Sequence, residues 1–146
     1  MMQIKKIVPV AVLTAVLAFI SLAHAEVKFK DMTLSEALKE AKTEKKLIMI
    51  DFFTDWCKWC KVLDQKTYSD EEVGKFADSH FVSIKINADD KGGPGTQIAN
   101  KYQIQGYPTV IFLNDKGVEV HRVVGYQEAK TFLTSMKTAT DKKAQK

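Results

Sequence analysis

"KKLIMIDFFTDWCKWCKVLDQKTY", residues 45–68, is the stretch whose reading decides the fold. Residues 45–53 form a near-continuous apolar run with one acid, Asp51, close to its end, the pattern of a strand buried on both faces. From Cys57 onward, "CKWCKVLDQKTY" reads as a helix that starts at the two cysteines of the chain, Cys57 and Cys60. A buried strand running directly into a helix puts Cys57 at the helix N-terminus. Unpaired N–H groups and the positive end of the helix dipole there favour a thiolate over a thiol. Cys60, a turn deeper, is expected to be close enough to form a disulfide yet shielded from solvent. Such a pair suits exchange: Cys57 attacks a substrate disulfide and Cys60 resolves the mixed disulfide.

Other uses of two cysteines at this spacing fit less well. A zinc site needs further ligands, and the chain beyond residue 25 offers only His80 and His121, with no second cysteine pair. No metal ligands are therefore assigned. Haem attachment needs a histidine directly after the second cysteine, and that residue is Lys61. A structural disulfide would join distant segments, whereas a loop this small constrains little of the unfolded chain. Plain core packing remains the minority alternative.

Outward from the cysteines, strand and helix patterns alternate. "EVKF" suits a short edge strand, and "TLSEALKEAK" a helix with Thr33 and Glu36 at capping-box spacing. After the cysteine helix, Ser69 and Glu72 announce "DEEVGKFADS". "HFVSIKINAD" is a strand, "KGGPG" a loop and "TQIANKYQI" a short helix. "PTVIFLNDKGVEVHRVVG" reads as two strands about an "NDKG" turn, and "YQEAKTFLTSMKTA" as an amphipathic helix. The order βαβααβαββα implies one α/β domain, a mixed central sheet with helices on both faces and a C-terminal hairpin and helix.

The chain begins with a basic "MMQIKK", an uncharged apolar run and "AHA", the pattern of a cleaved signal peptide, residues 1–25. An uncleaved anchor is the alternative, since the run from residue 7 to 23 approaches the length of a membrane span. Without the leader's Lys5 and Lys6 the formal charge falls from +4 to +2, a near-balanced surface that argues against a nucleic-acid partner. Residues 26–146 form the domain, and the lysine-rich end from about residue 137 is expected to be a solvated tail. Export makes a persistent disulfide chemically reasonable.

"IDFFTDWCKWCK" resembles the active-site segment of the thioredoxin family, with Asp51 six positions before Cys57, an aromatic at Phe53 and Trp56 directly before the first cysteine. The resemblance continues through "IKINADD" and "QIQGYPTVIFLNDKGVEV" to Gly125. "KTYSDEEVGKF" is similar to one branch, the periplasmic C-terminal domain of the transmembrane thiol–disulfide interchange protein. The resemblance implies the thioredoxin fold, a buried Asp51 that moves the Cys60 proton, Lys85 near that acid, and a cis-proline at Pro108, after Tyr107, that faces the cysteines and offers backbone to substrate. For Asp51 the other reading is an acid at the strand's mouth that caps the next helix. For Lys85 it is a solvent-facing lysine on an alternating strand.

Trp56, Lys58, Trp59, Tyr107 and Pro108 are the candidate substrate contacts, with Gly125 and Tyr126 completing the rim or merely forming a turn. An exposed tryptophan beside a reactive thiol suggests a protein-contact surface. Lys58–Trp59, between the cysteines, matches neither the Gly-Pro of cytosolic thioredoxins nor the histidine pairs of oxidases and isomerases. The expected function is a periplasmic thiol–disulfide oxidoreductase that reduces protein disulfides, monomeric, fed by a membrane-embedded electron donor. No cofactor is expected beyond the Cys57–Cys60 disulfide, because no flavin or nicotinamide motif is present. An oxidase or isomerase on the same fold, or a thiol-based copper- or partner-binding module, is the alternative.

Overall fold

The apolar run around Asp51 becomes the central strand of the sheet. The computed structural model describes residues 25–144, so the expected leader lies outside the described residues except for Ala25. The elements are α1 (Leu34–Glu44), β1 (Leu47–Phe53), α2 (Lys58–Leu63) continued by a π-helical turn (Asp64–Tyr68), α3 (Glu71–His80), β2 (Phe81–Asn87), α4 (Pro94–Lys101), β3 (Thr109–Leu113), β4 (Glu119–Val124) and α5 (Ala129–Ala144). The sheet order is β2-β1-β3-β4. β1 pairs parallel with β2 and antiparallel with β3, and β3 pairs antiparallel with β4, so the sheet is mixed.

Because successive strand side chains point to opposite faces, β1 feeds two separate cores. Ile48, Ile50 and Phe52 pack with Ala37 and Ala41 of α1 and Ala99 of α4. Leu47 and Met49 pack with Leu63 of α2, Val73 and Ala77 of α3, and Phe132 and Met136 of α5. Helices therefore cover both faces, as the alternating pattern implies. At α1 the Thr33–Glu36 capping box is made: Glu36 N–H donates to Thr33 Oγ1 (3.3 Å) and Thr33 N–H to Glu36 Oε2 (2.8 Å).

Four local expectations change. Residues 26–29 make no ladder, because Val27 N–H donates to the Tyr68 carbonyl and Lys30 N–H to that of Ser83, at 2.8 Å each. With its donors sent to different elements, the segment is pinned without being a strand. The cap of α3 is Asp70, one residue later than expected; its carboxylate accepts from Glu72 and Val73 N–H (3.0 Å each), while the Ser69 hydroxyl donates to Gln65 O. α4 begins at Pro94, inside the expected loop, since proline at the first helical position gives up only an N–H that has no helical partner. Finally, α5 runs to Ala144, so the expected tail is helical over most of its length. Ala139, fully buried, extends the stripe of Phe132 and Met136.

Candidate active site

β1 ends at Phe53, and the chain crosses Thr54–Trp56 to reach Cys57, whose N–H donates to the Thr54 carbonyl (3.2 Å). Cys57 is the N-cap of α2, and its Sγ accepts the Cys60 N–H at 3.1 Å. A sulfur bearing charge would be held by this same donor and by the helix terminus. The cysteines are joined as a disulfide, with Cα atoms 5.4 Å apart. Cys60 is shielded from solvent, at 3% exposed, and Cys57 is nearly as buried, at 4%. What distinguishes them is position, Cys57 at the helix end and Cys60 inside its first turn.

A charged cluster gathers around Asp51, on the strand that leads to the cysteine turn. Asp51 is fully buried, which removes the reading of an exposed helix cap. In the parallel register it stands opposite Lys85 of β2, so both side chains leave the same face. Lys85 Nζ lies 3.3 Å from Asp51 Oδ2 and 2.5 Å from Asp64 Oδ1. The first approach is an ion-pair contact without hydrogen-bond geometry, and both Asp51 oxygens lack a hydrogen-bond partner. Burial pushes the Asp51 carboxyl up to about 6; Lys85 pulls against this shift and the charge of Asp64 adds to it. The lysine is caged by aromatic faces, 5.1 Å from the Phe29 ring centroid, 5.2 Å from Phe53 and 5.6 Å from Tyr68.

On the outer side, a hollow of about 360 Å³ is lined by Trp59, Tyr107, Pro108, Gly125 and Tyr126. The Tyr107–Pro108 peptide is cis. Gly125 adopts φ +85°, a conformation that favours glycine, and its N–H donates to the Pro108 carbonyl (2.8 Å), which ties the end of β4 to the proline loop. Two aromatic pairs frame this surface. Trp59 stacks on Tyr126 (5.5 Å, 29°), and Trp56 meets Tyr107 edge-on (6.0 Å, 85°). Trp56 and Trp59 are 69% and 54% exposed, so their stable function is not core packing. Lys58 is exposed at the start of α2.

The structure thus brings Trp59, Tyr107, Pro108, Gly125 and Tyr126 to one surface, and Asp51 and Lys85 to one buried contact. Sequence reasoning missed Asp64, Tyr68 and Asp89. Asp64 lies seven residues after Cys57, a helical spacing that places both on one face and was available as a signal. Asp89 Oδ2 accepts from Trp56 Nε1 at 3.1 Å across 33 residues of sequence, and nothing local announces that bond. His80 and His121 lie apart from the cysteines in role: one stacks on Phe76, the other on Phe112.

The fold recurs in known proteins. The model of a thioredoxin-like domain family matches residues 34–140. The thiol:disulfide interchange protein DsbD of Escherichia coli is 34% identical over 102 residues, 68% of this chain and 17% of that protein. The chain therefore spans about a sixth of the length of the curated relatives it matches. Among solved structures, a candidate disulphide-isomerase from Bacteroides thetaiotaomicron is 34% identical with a TM-score of 0.70, covering 80% of this chain and 94% of that one. The reduced C-terminal domain of Neisseria meningitidis DsbD is 26% identical with a TM-score of 0.60, covering 73% and 93%. With a family model matching most of its length and a disulfide at the start of α2, the chain belongs to the thioredoxin-like domain family.

Proposed function

We propose that this thiol–disulfide oxidoreductase works in the reducing direction, on protein disulfides in the periplasm. Its dithiol is the electron carrier, with no other cofactor, and a membrane-embedded donor regenerates it. The observation that carries the reading is Cys57 Sγ at the helix N-cap, accepting the Cys60 N–H, with a buried carboxyl on the strand that leads to it. In the reaction, the Cys57 thiolate attacks a substrate disulfide and expels one substrate sulfur as a thiolate, which takes a proton from solvent. Cys60 then gives its proton to Asp51, attacks Cys57 Sγ, and releases the second substrate sulfur as the Cys57–Cys60 disulfide forms. Lys85 holds the Asp51 carboxylate against the cost of burial. Trp56, Lys58, Trp59, Tyr107 and Pro108 form the substrate surface, with Pro108 and its loop offering backbone to an extended segment.

A buried negative charge near the dithiol disfavours the thiolate, whereas strong oxidants owe their potential to a very stable one. That favours reduction. A monomer exported behind a cleaved leader fits the sequence, and the DsbD relatives make a membrane donor the natural source of electrons. The isomerase alternative draws support from the Bacteroides relative, whose name carries that activity. Equilibration of residues 26–146 against glutathione buffers tests the direction. A reduction potential near about −270 mV supports a reductase, and one near about −120 mV makes the protein a disulfide donor. Reactivation of a scrambled-disulfide substrate, faster than net reduction of insulin, would instead establish the isomerase.

A further inference from the structure

Tyr68 ends the π-helical turn after α2, and its hydroxyl is buried without a hydrogen-bond partner. The ring does not need that oxygen to pack: it meets Phe29 edge-on at 4.9 Å and Phe132 edge-on at 5.6 Å, and offers a face to Lys85. Phenylalanine would make the same contacts and avoid the penalty of a buried hydroxyl without a protein partner. Such a group in a native interior calls for an explanation. Among the described residues, the other buried side-chain polar atoms without partners are the two Asp51 oxygens and Thr54 Oγ1. Burial raises the pKa of the Tyr68 hydroxyl and the charge of Asp51 adds to that rise, while the hydroxyl in turn favours the Asp51 carboxylate.

Outside this pair lies a second hollow, of about 290 Å³, lined by Glu26, Val27, Phe29, Asp64, Tyr68 and Lys85. Its wall includes Tyr68 and also Lys85, whose Nζ lies 3.3 Å from the buried acid. We propose that Tyr68 is a positioning residue for the proton step, its hydroxyl donating to the Asp51 carboxylate while that group awaits the Cys60 proton, and that this hollow is where the proton then leaves to water. The inference rests on the proton role of Asp51 proposed above. Tyr68 keeps its own proton throughout; Asp51 gains one from Cys60 and passes it to water. The charged and titratable groups facing the site are Asp51 from β1, Lys85 from β2, Asp64 and Tyr68 from the turn after α2, and Glu26 from the N-terminal segment.

The test compares wild type, Tyr68→Phe and Asp51→Asn, each as the domain from residue 26 onward. The Asp51 carboxyl carbon is titrated by NMR in the reduced protein, with Asp51→Asn assigning its resonance, and insulin reduction is followed against pH. Losing a donor to a charged acceptor should raise the Asp51 midpoint by roughly one unit in Tyr68→Phe. The acid limb of the rate profile should move with it, an about tenfold loss on that limb and none at high pH. The melting temperature should be unchanged or higher, because an unpaired hydroxyl has gone. An unmoved midpoint, or a variant that unfolds or loses activity equally at every pH, overturns the inference and leaves the role of Asp51 standing. A rate profile unmoved in Asp51→Asn removes the proton role itself, and the inference with it.

Discussion

On the face of the sheet toward α1 and α4, the paired residues of β1 and β2 are Ile48 with Val82, Ile50 with Ile84, and Phe52 with Ile86. On the opposite face they are Leu47 with Phe81, Met49 with Ser83, Asp51 with Lys85, and Phe53 with Asn87. The first series is apolar from end to end. The second grows polar toward the carboxyl ends of the two parallel strands, where the cysteine turn begins. The buried side-chain oxygens that lack a hydrogen-bond partner, on Asp51, Thr54 and Tyr68, gather at that end among the described residues. Parallel strands commonly carry chemistry at their carboxyl ends. Here one face supplies cohesion with no polar cost, and the other holds an acid whose burial opposes folding.

That contrast can be broken by exchanging the roles of the faces. Phe52→Ala, on the apolar face, should cost about 3–5 kcal/mol from lost burial and the cavity left behind. The urea midpoint would fall with an unchanged slope, while exchange activity per folded molecule stays the same. Activity lost under conditions where the variant is fully folded would show that this face also shapes the site.

Asp51→Asn should act in the opposite sense. The carboxyl is raised to about 6 in the folded protein, from an ordinary unfolded value of ~3.9. A raised folded value means that the native state holds the proton more tightly. Its contribution is therefore fully present below about pH 4 and lost as pH climbs through about 6. At pH 7 the charged form then costs roughly 3 kcal/mol, which Asn does not incur. Thermal melts should show the variant more stable than wild type at pH 7, with the gap closing below about pH 4. A variant less stable at neutral pH would mean that the contact with Lys85 outweighs burial.

How much of this was readable beforehand follows the same division. The apolar face follows a regular pattern, which pointed to the four strands, both helical layers and the order of elements from α1 onward. Cys57 and Cys60 were legible because their spacing has few chemical meanings. The polar face is built from single residues brought together over long distances. Lys85 was ambiguous on its own strand and became definite only through the register that sets it beside Asp51. Tyr68 and Phe29 look like ordinary core aromatics until Lys85 is placed between them. The N-terminal segment misled for a related reason: Val27 and Lys30 donate to partners 41 and 53 residues away in sequence, beyond the reach of any local pattern.

Gly74 sharpens the comparison at the edge of the polar face. A Cβ there would fall 2.7 Å from the Glu26 carbonyl carbon, so α3 or the N-terminal segment must move. Gly74→Ala gains up to about 1 kcal/mol of helix propensity but should still lose roughly 1–2 kcal/mol overall, because the obstacle is backbone. Since Glu26, Val27 and Phe29 wall the hollow beside Lys85, faster amide exchange should appear in residues 26–30 before it appears in β1. Uniform loss of protection across the sheet would mean that the segment is part of the main folding unit.

The smallest effect is expected where the polar face meets solvent. Trp56 donates Nε1–H to Asp89 Oδ2, but the ring is largely exposed, so Asp89→Ala should change stability by no more than about 0.5 kcal/mol. What the bond fixes is direction: it holds the indole edge-on to Tyr107, beside the proline loop. Freed from Asp89, Trp56 samples other rotamers, and a substrate must order it on binding, at roughly 0.5–1 kcal/mol. The KM for a protein disulfide should then rise about two- to fivefold while kcat holds, since the cysteines and Asp51 are untouched. A small disulfide that does not reach Trp56 should show no change. If kcat falls for both substrates, the bond supports the cysteine turn rather than the docking surface.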